Sequence, residues 1–576
     1  MRNRTRWFVP AAVLASLALT AAACGGDDSG DSANTATSAG DAASSSTSAA
    51  SDVPKGGTLT VGAEQEPDCM DWMGSCAGSS WGSWMVNYQT MPRVYDVVAD
   101  GQGWKYQLNS MLDGEPKVES SPKQVVTYKL SGKGVWDDGT PISCDDFKYT
   151  WEQVSAAQDI YDTTGYKDIE SVTEPTKNTC VVTFKNPYAA WKGTLFGGQF
   201  GIYPSHLLAG KDRNATMKDG YTFSGGPFKL EKWEKGVSVT LVPNTKYWGE
   251  QPKLDKVVFQ IIPDTAQEFN AFKSGEVLAI YPQPQIATVD AMAQGGLDAT
   301  QIVSTKTGNL EALWMNNAKA PLDSKAVRQA IAYGLDRDAL VKALFGGIKV
   351  DKAVHSLNPP IVENYSDTQA FAMYKKDLAK VNSLMTGDGW AKGADGIWAK
   401  DGTPAALELN STAGNARRER TGEILQAQWK EAGFDLKLNY TEAGTLFGEW
   451  GPQGIFTIAL YAQVPPSTDP GICSTFCSEN IPTTEAPNGQ NWTRLESDAI
   501  DEPWREVDTT LDEDARADLV DAGQQALADE LPGLPVDPFP DIFVYNTAKL
   551  NGPLGNNVVY GPFWNMNEWW CTGGEC

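Results

Sequence analysis

Hydrophobic and polar residues alternate in several short stretches of the chain, which is the pattern of a strand with one buried face. In QVVTYKL, for example, Val126, Tyr128 and Leu130 fall on the same face. Such strands are predicted at 56–64, 124–130, 180–186 and 237–244. The run KVVFQIIP (256–263) is more continuously apolar, and it predicts a strand that is buried on both faces.

A helical repeat replaces this alternation in DSKAVRQAIAYGLDRDALVKALFGG (323–347). Its apolar residues recur three or four positions apart. They are Val327, Ala330, Ile331 and Leu335. Asp323 is the expected N-terminal cap and Gly346-Gly347 the expected stop, so the pattern predicts one helix over this stretch.

A second helix is predicted over RTGEILQAQWKEAG (420–433), with Gly433 as its terminator. The residues on its apolar face are Ile424, Leu425, Gln428, Trp429 and Ala432. The strand FDLKLNY (434–440) follows at once. A helix, a glycine stop and a strand in this order are typical of mixed α/β lobes.

The first residues of the chain have the pattern of an exported protein. Arginines precede the short apolar run Val9–Leu19, and three alanines then lead to Cys24. This order predicts a signal peptide at 1–23, because the apolar run is too short to cross a bilayer. Small residues before a cysteine resemble the bacterial lipobox, although Ala21 stands at the usual leucine position, so Cys24 is the predicted lipidation site. The alternative is an unlipidated signal peptide.

The stretch after Cys24 consists almost entirely of Ser, Ala, Thr, Gly and Asp. Such a composition cannot bury enough apolar surface to fold, so 24–55 is predicted to be a lipidated, flexible tether. The remaining residues, about 520 in number, are too many for one core and predict two or more lobes. The net charge of −26 argues against a nucleic-acid partner and favours solubility outside the cell.

Eight of the nine cysteines remain when Cys24 is set aside. They fall into neighbouring pairs along the chain: Cys69 with Cys76, Cys144 with Cys180, Cys473 with Cys477, and Cys571 with Cys576. An exported chain can keep disulfides, so these pairs are predicted from proximity alone. A metal site is the alternative, but no pair has C-x2-C spacing and the chain has two histidines.

A longer motif surrounds the predicted strand at 124–130. After that strand come W-x-D-G-x-P, an acidic pair and a phenylalanine, carried by Trp136, Asp138, Gly139, Pro141, Asp145, Asp146 and Phe147. This order resembles the signature of extracellular solute-binding proteins of the peptide/nickel type, family 5, which are substrate-binding lipoproteins of ABC transporters. The resemblance is to members of an actinobacterial kind.

The same resemblance continues in order along the chain. The family's G-x-G-P stretch is similar to 224–262, where Gly225-Gly226-Pro227 stands for the usual Thr-Gly-Pro. The segments 313–340 and 414–438, and the step Asp469-Pro470, complete the match, which covers roughly 56–570.

The residues of the first motif have a structural interpretation of their own. Asp and Gly tolerate turn dihedrals, so Asp137 to Pro141 predicts a tight turn. Asp145 and Asp146 would lie at a helix start, where carboxylates meet free N–H groups, and they are predicted to be caps and not a catalytic pair. The motif therefore identifies a fold, and the ligand site must lie elsewhere.

The resemblance implies an α/β fold, a two-lobed clamp like that of periplasmic binding proteins, of the large cluster with an extra subdomain in the first lobe. The implied boundaries are 56–308 for lobe I with the subdomain at about 89–223, 309–536 for lobe II, and 537–576 for the return to lobe I. A ligand would be trapped between lobes that close by a hinge motion.

The function implied is that of a monomeric protein, lipid-anchored on the extracellular face of a bacterial membrane. It would capture a small-molecule or peptide ligand and deliver it to the permease of an ABC importer, with no cofactor or metal. A ligand-sensing or chaperone-like lipoprotein of the same fold, without transport, is the alternative.

Charged anchors for the ends of a short peptide are missing where the resemblance would place them. An aspartate that holds the peptide amine aligns with Pro466, and an arginine that holds the carboxylate aligns with Asn410. A buried amine without a carboxylate partner is costly, so a short peptide held by its ends is disfavoured.

Tryptophans are plentiful, and a tryptophan in a cleft can stack on sugars or cover apolar ligands, although core packing is the commoner role. The predicted ligand contacts, which combine such aromatics with polar residues on the family's cleft loops, are Gln65, Glu66, Trp81, Asn410, Tyr461, Gln463, Asp469 and Trp564.

A secreted serine hydrolase is a remote alternative, because GSSWG (78–82) fits G-x-S-x-G. That nucleophile elbow needs an apolar strand before it and a histidine later in the chain. CMDWMGSCA does not predict a strand, and His206 lies in YPSHLL, a loop-to-helix start. The motif therefore weighs little against the binding-protein resemblance.

Overall fold

In the computed structural model, the first strand begins at Thr58, after the predicted leader and tether. The described residues are 53–74, 76–77, 79–100, 103–156, 160, 162–198, 200–294, 300–304, 308–359, 361, 365, 367–464, 469–484 and 489–576. The signal peptide, Cys24 and nearly all of the tether lie outside them. Among these residues, no helix has both the length and the apolar character needed to cross a membrane.

Twenty-three strands are found in the described residues. They are β1 Thr58–Ala63, β2 Tyr95–Asp100, β3 Gly103–Leu108, β4 Lys117–Glu119, β5 Val125–Lys129, β6 Ile169–Thr176, β7 Thr179–Phe184, β8 Phe228–Glu234, β9 Ser238–Pro243, β10 Lys256–Ile261, β11 Ala279–Ile280, β12 Thr300–Ser304, β13 Leu310–Met315, β14 Ala391–Lys392, β15 Trp398–Lys400, β16 Thr403–Pro404, β17 Ala406–Thr412, β18 Asp435–Thr441, β19 Ile458–Gln463, β20 Gly533–Asp537, β21 Asp541–Tyr545, β22 Leu550–Asn551 and β23 Trp570–Cys571.

Nine helices in the described residues have nine or more residues. They are α1 Cys144–Ser155, α2 Thr265–Ser274, α3 Ile286–Gln294, α4 Lys325–Tyr333, α5 Arg337–Phe345, α6 Leu378–Gly387, α7 Ala416–Ala432, α8 Asp498–Thr509 and α9 Glu513–Glu530. Shorter helical turns lie at Ser80–Gly82, Ser83–Asn87, Tyr88–Thr90, Tyr166–Asp168, Trp191–Thr194, Ser205–Leu208, Arg213–Met217, Gly346–Ile348, Ala370–Met373, Ala443–Thr445, Leu446–Trp450, Gly451–Gln453, Cys473–Phe476, Ser478–Asn480, Met566–Glu568 and Thr572–Gly574.

A seven-stranded mixed sheet joins the two ends of the described chain. Its strand order is β12-β21-β11-β1-β10-β9-β8. β1 runs parallel to β10, with Thr58 opposite Lys256, while β21 returns from the C-terminal part to pair antiparallel with β12. The aromatic core beneath this sheet includes Phe259, Phe543 and Phe563.

A five-stranded sheet is built entirely from residues between β13 and β20. Its order is β18-β17-β19-β13-β20, with β17 parallel to β18 and to β19. The helices α4, α5 and α7 contribute buried residues to one core with these strands. The chain passes between the two sheets twice, from β12 to β13 and from β20 to β21.

The second of these crossings is tied to the seven-stranded sheet by a buried carboxylate. Asn309 Nδ2 donates to Asp541 Oδ2 at 3.2 Å, and the hydroxyl of Tyr281 donates to Asp541 Oδ1. Both crossing segments are therefore joined to each other on the side of the seven-stranded sheet.

The predicted strands all form, with ends that differ from the prediction by at most two residues. In β5, Val126 and Tyr128 are buried on one face as predicted. The apolar run at 256–263 is different, because only Val257 and Phe259 of β10 are fully buried, and their neighbours stay partly exposed. The prediction that both faces are buried is therefore wrong.

The long helical pattern at 323–347 contains two helices and not one. Gly334 ends α4, and the predicted apolar residues are fully buried on α4 and in the link to α5. A β-carbon on Gly334 would lie 3.0 Å from Ala432 Cβ, which shows that α7 packs closely against the end of α4. Ser324, and not Asp323, caps α4 by accepting from the backbone N–H of Val327.

The second predicted helix is α7, which begins earlier than predicted, at Ala416, after the cap Asn415. Gly433 ends it with a left-handed φ of 98°, as the sequence indicated. Residues 80–90 form successive helical turns.

The acidic pair of the first motif has a structural role. Asp146 Oδ2 accepts from the backbone N–H of Ser143 at 2.9 Å and from Trp136 Nε1 at 3.2 Å. Its Oδ1 accepts from the backbone N–H of Ser205 at 2.8 Å. Asp146 thus closes a capping box on α1 and joins three segments, which confirms that it is a cap.

The four cysteine pairs predicted from proximity are the pairs that the structure brings together. The bonded pairs are Cys69–Cys76, Cys144–Cys180, Cys473–Cys477 and Cys571–Cys576. The pair with the longest loop has a sequence separation of 36 and attaches α1 to β7.

Gly226→Ala is expected to lower the free energy of unfolding by about 1–3 kcal/mol, because overpacking strains a close contact. A β-carbon there would lie 2.3 Å from the carbonyl oxygen of Gln89, which is backbone and cannot rotate away. Urea unfolding followed by fluorescence would measure the change. Gly387→Ala is the matched control, since that helical position has open space and alanine favours helix. Equal stability of the two variants would contradict the prediction.

Candidate ligand-binding site

A cleft of about 480 Å³, which includes space open to solvent, lies beside the end of β19. Its walls come from the first crossing, a loop after α5, the end of β19 and the turn that follows it. The lining residues are Gly308, Leu357, Asn358, Pro359, Gln463, Asp469, Gly471, Ile472, Ser474, Thr475 and Phe476. The walls are thus mostly neutral, with both apolar and hydrogen-bonding groups.

Two of the predicted ligand contacts, Gln463 and Asp469, come together in this cleft. Gln463 is the last residue of β19 and lies opposite Leu310 of β13. Asp469 follows the segment 465–468, which lies outside the described residues, as does Pro466.

The carboxylate of Asp469 is held by Arg516 of α9 in a two-pronged ion pair. Arg516 Nη1 donates to Asp469 Oδ2 at 2.8 Å, and Nη2 donates to Oδ1 at 2.7 Å. The other donors of Arg516 reach the hydroxyl of Tyr365 and the carbonyl oxygen of Val507, each at 2.7 Å. The arginine side chain is only 6% exposed. Burial acts to lower its pKa, but the Asp469 carboxylate and the Tyr365 hydroxyl raise it overall.

A second carboxylate, that of Asp508, lies close to that of Asp469 beside Gly471. A β-carbon on Gly471 would be 2.5 Å from Asp508 Oδ1 and 3.0 Å from Asp469 Oδ1. Burial and the negative charge of Asp469 raise the pKa of Asp508 to about 7, although Arg516 acts in the opposite direction. The cluster therefore brings two carboxyl groups and one guanidinium together in a largely buried position.

This cluster lies where the region around β6 and β7 meets α8. The backbone N–H of Ala189 donates to the carbonyl oxygen of Asp508 at 2.8 Å. Lys167 and Asp168 also act on the pKa of Asp508, and the buried Tyr188 has its pKa raised by burial and then by Asp469. The cluster is thus shared between segments that are far apart in the chain.

Tyr461, also a predicted contact, belongs to an aromatic group on the five-stranded sheet. Its ring stacks on Trp314, with 5.3 Å between centroids, and meets Phe447 edge-on at 5.6 Å. Trp492 completes the group, and Phe447 is 37% exposed. An aromatic surface therefore lies on the same strand as Gln463.

The structure places the other predicted contacts apart from this cleft. Trp81 is buried against Tyr281 and Phe563, and Trp564 lies edge-on to Trp104. Gln65 is exposed in the loop after β1. Their roles as ligand contacts stay predictions.

Glu66 and Asn410 have protein partners. Glu66 Oε2 accepts from the backbone N–H of Gly236 at 2.9 Å, within the seven-stranded sheet region. Asn410 is buried, its Nδ2 donates to Glu408, and its Oδ1 accepts from the backbone N–H of Thr457. These contacts leave a structural role for Asn410, and its ligand role stays a prediction.

Sequence reasoning missed Arg516 and Asp508. Both lie in helices rich in acidic residues, a composition typical of solvent-facing helices. Arg516 is also 47 residues from Asp469 along the chain. The one available signal was an isolated arginine within the acidic sequence of α9.

The nucleophile-elbow interpretation is not supported by the residues that the structure describes. Ser80 begins a helical turn and no strand precedes it within 64–79, where Ser75 and Gly78 are outside the description. His206 Nε2 lies 3.0 Å from Asp138 Oδ2, and His355 Nδ1 lies 3.2 Å from Arg337 Nη2. Both imidazoles therefore have partners that belong to other parts of the fold.

One group of side chains in the described residues has metal-ligand proximity, formed by Cys473, Cys477 and Glu479. The two sulfurs are joined in a disulfide, and Glu479 pairs with Arg505. These partners occupy the groups that a metal ion would need.

The chain is similar to a known family over a long segment. Residues 105–480 match the family model described as bacterial extracellular solute-binding proteins, family 5 Middle. The matched segment is more than half of the chain and contains Gln463 and Asp469.

Curated relatives agree with this match. The oligopeptide-binding protein OppA of Mycobacterium tuberculosis is 26% identical over 398 residues, which are 65% of this chain and 63% of the relative. The alignment thus spans less than two thirds of that relative's length. The oligopeptide-binding protein AppA of Bacillus subtilis is 22% identical over 592 residues, or 99% of each chain.

Solved structures share the fold. The periplasmic EDTA-binding protein EppA has a TM-score of 0.78 at 22% identity, covering 90% of this chain and 96% of its own. AppA of Bacillus subtilis in complex with a nonapeptide has a TM-score of 0.73 at 20% identity, covering 90% and 99%. The predicted fold class, a two-lobed α/β clamp like that of periplasmic binding proteins, is confirmed.

Proposed function

Because the chain belongs to the bacterial extracellular solute-binding proteins of family 5, we propose that it captures a peptide-like or other small organic ligand and delivers it to the permease of an ABC importer. The observation that carries this proposal is the cleft at the end of β19. It lies inside the matched segment and brings Gln463 and Asp469 together from separate positions.

The two large sheets support the lobe boundaries that the sequence predicted. The seven-stranded sheet draws its strands from 58–304 and 541–545, and the five-stranded sheet from 310–537. We propose lobe I at 56–308 with its return at 537–576, and lobe II at 309–536. The extra subdomain at about 89–223 would include the four-stranded sheet β4-β5-β7-β6. Motion of the lobes would concentrate at the two crossings, since hinges are a few residues between rigid elements.

The family is described as extracellular, and we propose that this protein is anchored to the cell membrane. A lipid on Cys24 would hold the protein at the outer face of the membrane, and the tether at 24–55 would let it reach the permease. Such tethering raises the effective concentration of the binding protein near its partner. We propose that it acts as a monomer.

Native mass spectrometry of residues 55–576 tests the proposal. The purified protein should retain a discrete adduct that is lost on denaturation, or should take one up from a mixture of synthetic tri- to octapeptides. The mass of the adduct would identify the ligand class. An unliganded mass both before and after incubation with the peptides would contradict a peptide-binding function.

A further inference from the structure

The charge of the cleft is set by one side chain. Among the described residues that line it, Asp469 is the one with an acidic or basic side chain. The other polar groups on the walls are neutral amides and hydroxyls, those of Asn358, Gln463, Ser474 and Thr475. Within the described lining, a charged ligand group would therefore have to find its counter-ion at Asp469.

Asp469 is already neutralised within the protein. Both of its oxygens accept hydrogen bonds from Arg516, at 2.7 Å and 2.8 Å. A planar guanidinium that meets a carboxylate in this way forms the strongest common type of charge-assisted pair. Asp469 is therefore not available as a full counter-charge for a ligand ammonium.

Arg516 cannot leave this pair without a cost to the fold. Its remaining bonds go to Val507 and Tyr365, and its side chain is almost fully buried. Breaking a buried ion pair leaves an uncompensated charge, which is strongly unfavourable. A ligand ammonium would have to compete with a guanidinium that is held in place from three sides.

Asp508 does not supply the missing charge at mildly acidic pH. It lies beside Gly471 but is not one of the residues that line the cleft. Two of the groups that act on it are Asp469 and Arg516, which lie near it in the cluster. The others are Lys167, Asp168 and Tyr188, from the region around β6 and β7. Its pKa of about 7 keeps it mainly protonated at pH 6.

We propose that Arg516 is a specificity-determining residue, which by holding Asp469 makes the cleft select an uncharged, hydrogen-bonding group, such as a blocked peptide amine, over a free ammonium. This inference rests on the proposed function. It names the chemical class of the group that enters the cleft: a neutral amide or ester flanked by apolar atoms, which would contact Leu357, Ile472 and Phe476.

The first test is a competition at pH 6 in native mass spectrometry. The probes are synthetic tri- to octapeptides with amidated C-termini, each present in equal amounts with a free and with an acetylated N-terminus. The acetylated forms should be retained in preference by about tenfold, or about 1.4 kcal/mol, since a buried polar group without a partner is costly. Equal retention, or preference for the free amines, would overturn the inference and leave peptide binding intact. Binding of neither form would contradict the peptide-binding function on which the inference rests, and the inference would fail with it.

Two variants identify Arg516 as the cause. Arg516→Gln releases the Asp469 carboxylate, so the preference should shift toward the free amines by about tenfold or more. The double variant Asp469→Asn with Arg516→Gln keeps the pair neutral and should retain the preference for acetylated peptides. If Arg516→Gln does not fold, the double variant and the wild-type protein still test the inference. A double variant that prefers free amines would contradict the role of a neutral pair.

Discussion

Glu311→Gln is expected to lower the free energy of unfolding by about 3–5 kcal/mol, the range for losing one partner of a buried ion pair. Glu311 lies on β13, the first strand after the crossing, and is 1% exposed. Its Oε1 accepts from Arg418 Nε at 2.6 Å, and its Oε2 pairs with Arg417 Nη1. The substitution would leave two arginines with less than their full counter-charge.

The neighbouring carboxylate cannot replace Glu311. Asp537 of β20 lies opposite Glu311 in the sheet and is fully buried. Burial raises the pKa of Asp537, while Arg417 and Arg418 act to lower it. The two acids and two arginines therefore form one balanced cluster at the points where the chain crosses between the sheets.

Urea unfolding of the wild-type and variant proteins would measure this effect. Glu423→Gln is the matched control. Glu423 pairs with Arg420 on the exposed face of α7, the helix that also carries Arg417 and Arg418. An exposed pair is worth about 0–1 kcal/mol, so the control should be close to wild type. A Glu311→Gln protein as stable as the control would show that the buried cluster does not stabilise the fold.

Asp508→Asn should make the protein more stable at pH 8, by up to about 4 kcal/mol, and should change little near pH 4. The pKa of Asp508 is raised from its usual range to about 7 in the folded protein. The folded state therefore holds this proton more tightly than the unfolded state. Its contribution is fully present below about pH 4 and is lost as the pH rises to about 7. Asparagine is neutral at every pH in this range, so the variant does not lose this stability as the pH rises.

Unfolding at pH 4, 5, 6, 7 and 8 would give the difference between wild type and variant at each pH. Taking the difference cancels the titration of other groups. Glu506→Gln is the control, because this carboxylate is exposed on the same helix and should shift stability by less than about 0.5 kcal/mol. A difference between wild type and Asp508→Asn that does not change with pH would refute the raised pKa.

Local patterns were enough for much of the fold. The strands at 124–130 and 434–440 and the glycine stop at Gly433 follow from side-chain alternation and backbone preference, which depend on near neighbours. The break at Gly334 was missed because the apolar spacing continues through it, while Asp336 starts a new helix by accepting a hydrogen bond from the backbone N–H of Ala339. A periodic pattern carries no information about such a contact.

The sequence by itself determined the family, the α/β class, the neighbouring cysteine pairs and the position of Gln463 and Asp469 on one strand-loop segment. These features are local or depend on ordered motifs. Only the tertiary structure decided the charge of the cleft, because Asp469 meets Arg516 from a distant helix and Asp508 from the helix before it. Electrostatic energy depends on distance and burial, and neither quantity can be read from residue spacing along the chain.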